Sequence, residues 1–207
     1  MKALGDIVVA STNKHKLMEL QTVANRHALT LLSPKDCQEK YGLGAWPDVE
    51  ENGKTFAENA FLKAEAFAAW SGIAALGDDS GLEVKALQGR PGIYSARYAP
   101  TDSERIEKLL EELSMLEKKS EHVDRRATFR CVLVLASKTG KVVQAEGALH
   151  GSILHERRGS GGFGYDPIVF LDKLQATLAE IDFERTCREG FRALAAEHLF
   201  TMLNELA

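Results

Sequence analysis

Two neighbouring carboxylates follow an apolar, strand-like segment of the chain. Asp78 and Asp79 come directly after residues 73–76 and a single glycine. Adjacent residues of a strand point to opposite faces, so only one of these acids can face a given cleft unless the chain turns there. The acidic pair Glu50 and Glu51 offers a further carboxylate, and hard oxygen ligands of this kind suit Mg²⁺ rather than zinc. The pattern indicates a magnesium site, or alternatively a turn with an Asx cap and a solvated acidic loop.

A second candidate site lies where the first strand-like segment, residues 7–10, gives way to a helical pattern. Three polar residues, 11–13, occupy the junction, and Lys14, His15 and Lys16 follow them. The free N–H groups and the dipole of a helix N-terminus attract phosphate, and Lys16 lies about one turn inside the helix. The segment therefore indicates a phosphate site, or alternatively a capped helix with exposed cations.

A glycine-rich stretch, residues 159–164, leads into Tyr165, Asp166 and Pro167. It has the spacing G-x-G-x-x-G, but it does not open a helix after a strand, which argues against a dinucleotide-binding fold. A ligand can approach such a backbone closely, or the stretch is simply a turn.

The elements that must position these residues alternate between strand-like and helical patterns. Strands are predicted at 7–10, 29–32, 73–76, 127–137 and 141–153, and helices at 14–27, 56–71, 101–119 and over most of 176–206. Residues 33–54, rich in glycine and proline, are predicted to form one long loop. The hairpin at 127–153 is antiparallel by its short connection, so the pattern predicts a mixed sheet in an α/β fold.

Composition restricts the class of protein. The 207 residues include 26 Lys and Arg against 30 Asp and Glu, a net charge of −4, which argues against a nucleic-acid partner held by a basic surface. The 3 cysteines lie far apart, which argues against a disulfide framework. Residues 1–6 lack the apolar segment of a signal peptide, and no apolar run approaches the ~18 residues of a membrane span. We therefore expect a chain that begins at Met1, stays in the cytoplasm and has no membrane partner.

Five segments, in order along the chain, together resemble the family of inosine triphosphate pyrophosphatases. Each segment alone is weakly specific, but the ordered set extends from about residue 7 to about residue 180. The segments are Ala10-Ser11-Thr12-Asn13 with Lys16, Glu51-Asn52-Gly53 with Thr55–Ala60 and Lys63, Asp78–Leu82, Pro91–Tyr98, and Gly161–Pro167.

The resemblance implies an elongated mixed β-sheet flanked by helices, with two lobes around a central active-site cleft, in a single domain over 1–207. It also implies a homodimer that hydrolyses ITP, dITP or XTP with Mg²⁺ to the nucleoside monophosphate and pyrophosphate. Asp79 would be catalytic and, with Glu51, would hold the metal ion. The remaining matched positions would bind the substrate: Ser11, Thr12, Asn13, Lys14, His15, Lys16 and Lys63 at the phosphates, and Ser80, Phe163, Gly164, Tyr165 and Asp166 at the nucleoside.

The C-terminal part departs from the family pattern. The family carries a Lys followed by Ser-His-Arg that contacts the base, whereas residues 186–194 contain no histidine. Arg192, or Arg188 in another register, is the counterpart of the arginine, so Arg192 is predicted to bind substrate. Two alternatives follow from this departure: a nucleotide-binding or sensing protein with weak catalysis, or the same chemistry with a shifted base preference.

Overall fold

A computed structural model describes residues 5–206, so the predicted start at Met1 lies outside the described residues. The strands are β1 (Ile7–Val9), β2 (Leu31–Leu32), β3 (Ala74–Val84), β4 (Arg126–Ser137), β5 (Gly140–Ile153) and β6 (Val169–Leu171). The helices are α1 (Lys14–Arg26), α2 (Pro34–Tyr41), α3 (Phe56–Ser71), α4 (Asp102–Glu117), α5 (Phe183–Glu189) and α6 (Phe191–Leu206). Short 3₁₀ helices occur at Lys85–Leu87, Gly92–Arg97, Asp166–Ile168 and Leu178–Glu180.

The strands form one six-stranded sheet in the order β2-β1-β3-β4-β5-β6. Strand β1 runs parallel to β2 and to β3, whereas β5 and β6 are antiparallel. This confirms the predicted mixed sheet in an α/β fold. The predicted lobes around a cleft and the single domain over 1–207 stay predictions.

The described chain divides into two compact units. The first contains the residues up to Asp79, Cys131–Gly147 and the chain from Arg192 onward, and the second contains Ser80–Arg130 and Ala148–Phe191. In the second unit, α4 buries Ile106, Leu109 and Leu113, and the rings of Phe129 and Phe191 stack with centroids 4.9 Å apart.

Two predictions about the elements are wrong. The segment 33–54 is not all loop, because Ser33 caps helix α2 with a capping box, Pro34 starts it, and Gly42 ends it in the left-handed conformation. The strand predicted at 73–76 does not end at Gly77 but continues to Val84. Asp78 and Asp79 therefore lie within a strand, which excludes the alternative of a turn with an Asx cap.

One face of β3 in the first unit packs on helix α3. Ala75 belongs to an apolar cluster with Phe67 and Ala68 of that helix. Two residues further along the same face, a Cβ atom at Gly77 would lie 1.9 Å from the carbonyl oxygen of Ala60. A glycine at this position therefore allows the helix to pack against the backbone of the strand.

Strands β1 and β3 bring a basic segment, which follows Val9, and an acidic segment, which follows Leu76, to the same edge of the sheet. They run parallel, with Val9 opposite Leu76, and the amide of Ala10 donates to the carbonyl of Leu76 at 2.8 Å. The chain after Val9 therefore begins helix α1 beside the residues that follow Leu76 in β3.

None of the helices within residues 5–206 has the length and apolar character of a membrane span.

Gly77→Ala tests the close packing of β3 on α3. We expect the substitution to lower the free energy of unfolding by about 3 kcal/mol, because the added methyl group overlaps the backbone of Ala60 and forces the helix away. Urea unfolding followed by tryptophan fluorescence measures the change. Gly44→Ala is the matched control, since no atom lies within 4 Å of its added Cβ, and its effect should stay within about 0.5 kcal/mol. Equal effects of the two substitutions would contradict the packing argument.

Candidate active site

The N-terminus of α1 is capped by its own side chains. Asn13 is the N-cap, and its Oδ1 accepts hydrogen bonds from the amides of His15 at 2.9 Å and Lys16 at 3.3 Å. Ser11 Oγ accepts from the amide of Asn13 at 3.2 Å. Thr12, Lys14 and His15 are exposed. In this structure the side chain of Asn13 occupies two amides of the predicted phosphate site, which makes Lys16 the clearest anion-binding group of the segment.

Asp78 lies at the centre of a buried network of charged side chains. Its Oδ1 accepts a hydrogen bond from Lys16 Nζ at 2.5 Å, and its Oδ2 accepts one from Arg192 Nε at 2.7 Å. Arg192 Nη1 also donates to both carboxylate oxygens of Glu19, at 3.1 and 3.0 Å. Glu19 and Lys16 lie three residues apart on α1, so the network ties α1 and α6 to β3.

The charges of this network determine its protonation. Burial by itself would raise the pKa of Asp78, but the positive charges of Arg192 and Lys16 outweigh burial and hold the pKa well below its usual range. Burial opposes the charge of Arg192 as well, yet Asp78 and Glu19 raise its pKa. Asp78 is therefore ionised and fully engaged, which makes it a structural anion rather than a proton acceptor.

Asp79 points to the other face of β3, toward helix α3. Lys63 Nζ lies 3.4 Å from Asp79 Oδ1 and 2.6 Å from Glu51 Oε1, so one ammonium group bridges two carboxylates. Asn59 Nδ2 donates to Asp79 Oδ2 at 3.1 Å, and Asn59 Oδ1 accepts from the amide of Gly53 at 2.8 Å. Asn59 and Lys63 are four residues apart on α3 and share one face of it, so a single helix face holds both Asp79 and the Glu51–Gly53 segment.

The environment of Asp79 has the opposite effect on its proton affinity. Burial raises the pKa of Asp79 above its usual value, and the charges of Lys63 and Lys16 oppose this shift only in part. Burial lowers and the two carboxylates raise the pKa of Lys63, with a net increase that keeps the lysine charged. A buried carboxylate with a raised pKa is suited to accept a proton from water.

Two carboxylate oxygens within 3.4 Å of one ammonium nitrogen form a site that also suits a small divalent cation. No group of three or more His, Cys, Asp or Glu side chains that could hold a metal ion occurs among residues 5–206. Mg²⁺ usually takes only one or two carboxylates from the protein and completes its shell with water and substrate phosphates. The pair Glu51 and Asp79 therefore fits Mg²⁺ that binds together with a phosphate ligand.

The glycine-rich segment is ordered by hydrogen bonds within the second unit. Asp166 Oδ2 accepts from the amide of Phe163 at 2.8 Å, and the amide of Gly164 donates to Asp102 Oδ2 at 2.8 Å. The buried Tyr165 donates through its hydroxyl to the carbonyl of Ser95 at 3.0 Å. Tyr165 and Asp166 thus fix the conformation of the segment, and their contacts with a nucleoside stay predictions.

In the first unit, Lys63 contacts both Glu51 and Asp79, and Lys16 contacts the adjacent Asp78. The roles of these residues at a phosphate and metal site stay predictions. Arg192 differs from its predicted setting, because it is 1% exposed and its Nε and Nη1 donate to Asp78 and Glu19. Ser80 is half-buried in β3 at the start of the second unit. The predicted substrate contacts of Ser80 and Arg192 are not tested by these observations.

Sequence analysis missed two polar residues of the site. Glu19 precedes Leu20 on the buried face of α1, and Asn59 precedes Ala60 on the buried face of α3. A polar residue inside an apolar helical stripe requires a buried partner, because an unpaired polar group is costly there. That interruption of the stripe is the signal that could have identified both residues.

Comparison with known proteins gives a consistent result. The model of the Ham1 family matches residues 7–202. The chain is 44% identical over 200 residues to the dITP/XTP pyrophosphatase of Geobacter sulfurreducens, covering 93% of this chain and 96% of that protein. It is 46% identical over 194 residues to the protein of the same name from Nostoc sp., covering 92% and 91% of the two chains.

Solved structures agree with this assignment. The HAM1 protein of Coxiella burnetii superposes with a TM-score of 0.83 at 39% identity, covering 97% of this chain and 98% of that one. The Ham1 protein of Staphylococcus aureus superposes with a TM-score of 0.81 at 36% identity, covering 98% of this chain and all of that one. The chain belongs to the Ham1 family, which confirms the resemblance found in the ordered motifs.

The two adjacent aspartates should respond oppositely to removal of their charge. Asp78→Asn should lower the free energy of unfolding at pH 7 by about 3 kcal/mol, because Arg192 and Lys16 lose the charge that compensates them in a buried site. Asp79→Asn should leave the stability within about 1 kcal/mol of wild type or increase it, because it removes a carboxylate whose ionised form burial disfavours. Urea unfolding in the presence of a chelator measures both variants.

The pH dependence provides the sign of each contribution. The pKa of Asp78 is lowered on folding, so its stabilisation is present above the unfolded value of about 4 and decreases as the pH falls. The pKa of Asp79 is raised on folding, so its contribution is favourable at low pH and is lost as the pH rises. The loss of unfolding free energy in Asp78→Asn, relative to wild type, should therefore be smaller at pH 3 than at pH 7. The stability of Asp79→Asn relative to wild type should be greater at pH 7 than at pH 3. Equal changes for the two variants would show that their environments do not differ.

Proposed function

We propose that this protein is a Mg²⁺-dependent nucleoside triphosphate pyrophosphohydrolase that converts dITP, ITP and XTP to the nucleoside monophosphate and pyrophosphate. The observation that carries the proposal is the pairing of Asp79 and Glu51 on Lys63, with Lys16 on the neighbouring segment at the same edge of the sheet. The family membership and the dITP/XTP pyrophosphatase relatives support it.

The charges of the site suit a triphosphate. A nucleoside triphosphate carries about four negative charges at neutral pH, so a protein carboxylate approaches its phosphorus only when cations offset the repulsion. Lys16 contacts Asp78 and Lys63 contacts Asp79, and both lysine side chains keep some solvent exposure. In this proposal the two ammonium groups exchange part of their carboxylate contacts for phosphate oxygens.

Glu51 and Asp79 are the residues that would hold Mg²⁺. The bound ion supplies positive charge that neutralises the phosphate oxygens and the departing pyrophosphate. Glu51 reaches the site from the polar segment before α3, where Asn59 fastens the backbone of Gly53. The segment is therefore anchored to the same helix that carries Lys63.

Asp79 acts in this proposal as the proton acceptor for the attacking water. Without a bound metal ion, burial raises the pKa of Asp79 above its usual value, so the carboxylate has a higher proton affinity than an exposed aspartate. Asn59 holds Oδ2, which leaves the Oδ1 side directed toward Lys63 and the substrate. Attack of the water at the α-phosphorus makes pyrophosphate the leaving group and gives the nucleoside monophosphate.

The base preference belongs to the same proposal. A 6-oxo purine is favoured over adenine when a buried donor faces O6, because the amino group of adenine leaves that donor unpaired at a cost of about 1–3 kcal/mol. Ser80 and the segment Phe163–Asp166 are the proposed nucleoside contacts. The protein is further proposed to work as a cytoplasmic homodimer.

The substrate panel tests the proposed function directly. Pyrophosphate release from dITP, ITP, XTP, dGTP, dATP and dCTP, each with and without Mg²⁺, should be fast and Mg²⁺-dependent for dITP, ITP and XTP. Comparable rates on dGTP and dATP would instead indicate a shifted base preference. Thermal stabilisation by dITP without any product would favour a sensing protein over an enzyme.

Asp79→Asn tests the proton acceptor. We expect the turnover number for dITP to fall about 10³-fold, because the amide cannot accept the proton of water. Asp48→Asn is a matched control, since Asp48 is exposed, and it should retain the wild-type rate. Circular dichroism and thermal unfolding establish that both variants are folded, and a folded Asp79→Asn protein with normal turnover would refute the role.

Glu51→Gln tests the metal ligand. We expect the concentration of Mg²⁺ needed for half-maximal pyrophosphate release to rise about tenfold, because one of the two carboxylate ligands loses its charge. Glu50→Gln changes the adjacent, exposed glutamate in the same way and should leave the Mg²⁺ dependence unchanged. A shift of equal size in both variants would mean that the effect is one of general charge rather than of a ligand.

A further inference from the structure

Arg192 is the largest of the fully buried side chains and carries a charge that the proposed chemistry does not use. It lies in the first turn of α6 and reaches two acids on different elements, Asp78 of β3 and Glu19 of α1. Two of its donor nitrogens, Nε and Nη1, are engaged by these acids, so they are not directed toward a base.

Asp78 connects Arg192 to the phosphate site. Each of its oxygens takes one cation: Lys16 on Oδ1 and Arg192 on Oδ2. Glu19 lies on the same helix as Lys16, three residues further on, and binds the other end of the guanidinium group. The four side chains thus form a cyclic network of ion pairs that is closed through helix α1. In this network Arg192 fixes the orientation of the Asp78 carboxylate, which holds the Lys16 ammonium group.

The positive and negative charges of this network are equal in number. Lys16 and Arg192 are positive, while Glu19 and Asp78 are negative, so the four side chains together carry no net formal charge. Lys16 is the most exposed of them, with 16% of its side chain accessible against 1% for Arg192. An anion from solvent therefore reaches the network at Lys16. Without Arg192, the remaining side chains would carry a net negative charge beside the phosphates.

We propose that Arg192 is a positioning residue for phosphate binding: it orients Asp78, which in turn holds Lys16, and it balances the charges of Glu19 and Asp78. This inference rests on the proposed function, because it requires Lys16 to bind the phosphates of the substrate. It replaces the base contact expected for Arg192 with a role at the other end of the nucleotide.

Three variants separate charge balance from other effects: Arg192→Met, Glu19→Gln and the double variant. Arg192→Met should raise the KM for dITP about tenfold or more, with kcat reduced less than KM is raised, because a buried negative charge then opposes the phosphates. Glu19→Gln should not raise KM. The double variant restores the charge balance but not the contact that orients Asp78, so its KM should fall below that of Arg192→Met and stay above that of wild type.

Two readouts distinguish this role from a base contact or a purely structural one. Binding of inorganic tripolyphosphate with Mg²⁺, measured by calorimetry, should weaken in Arg192→Met and recover in part in the double variant, although this probe contains no base. The ratio of kcat/KM for dITP over dATP should stay unchanged. A lowered ratio with normal tripolyphosphate binding would overturn the proposal, as would a folded Arg192→Met variant with wild-type KM.

Controls and a second variant keep the test decisive. Arg26→Met and Glu197→Gln remove a partly exposed ion pair between the same two helices, α1 and α6, and should leave both KM and tripolyphosphate binding unchanged. If Arg192→Met does not fold, Arg192→Lys keeps the charge but loses the forked geometry, and its KM should lie above wild type; a wild-type KM there would overturn the positioning role. If wild type releases no pyrophosphate from any nucleotide, the proposed function fails, while the tripolyphosphate series still tests Arg192.

Discussion

The alternation of side chains along β3 is the constraint on which the site depends. Two consecutive aspartates in a strand must face opposite sides of the sheet, so Asp78 and Asp79 enter different environments although they are neighbours in sequence. Asp78 meets two cations from α1 and α6 and is held ionised, whereas Asp79 meets α3 and has a raised pKa. The strand thus places a structural carboxylate, Asp78, on one face and the proposed proton acceptor, Asp79, on the other. A shift of its register by one residue would exchange the environments of the two acids.

Helix α3 gives Asp79 its environment, and the packing of that helix explains why it can. The face of β3 toward α3 carries Ala75, Gly77 and Asp79, of which the glycine removes the side chain where the helix lies closest. Asn59 and Lys63 then reach the carboxylate from one helix face. The close approach also carries a cost, because it buries Asp79 and brings Glu51 onto the same lysine. Functional sites commonly contain such buried ionisable groups, which lower the stability of the folded protein.

Buried charges on the other face of β3 show how such a site tolerates ionised groups. A single ion pair would offset its desolvation poorly, since each charge removed from water costs several kcal/mol. In the network of Lys16, Asp78, Arg192 and Glu19, Asp78 instead has two cationic partners and Arg192 has two acidic ones. No side-chain polar atom is buried without a partner among the described residues. The network also joins residues that are up to 173 positions apart, so it forms only when the whole first unit has folded.

The amino-acid sequence was sufficient to predict the α/β class, most of the helices and strands and the ordered motifs of the family, because periodicity, caps and local motifs are properties of short segments. It also placed Asp79, Glu51, Lys16 and Lys63 in one predicted site, through the resemblance. The folded chain was needed to show that β3 continues through the aspartates, that Asn59 contacts Asp79, and that Arg192 is held by Asp78 and Glu19. These facts depend on contacts between residues distant in the chain, and the burial and the charged partners found at such contacts set the pKa of each acid, which no local pattern encodes.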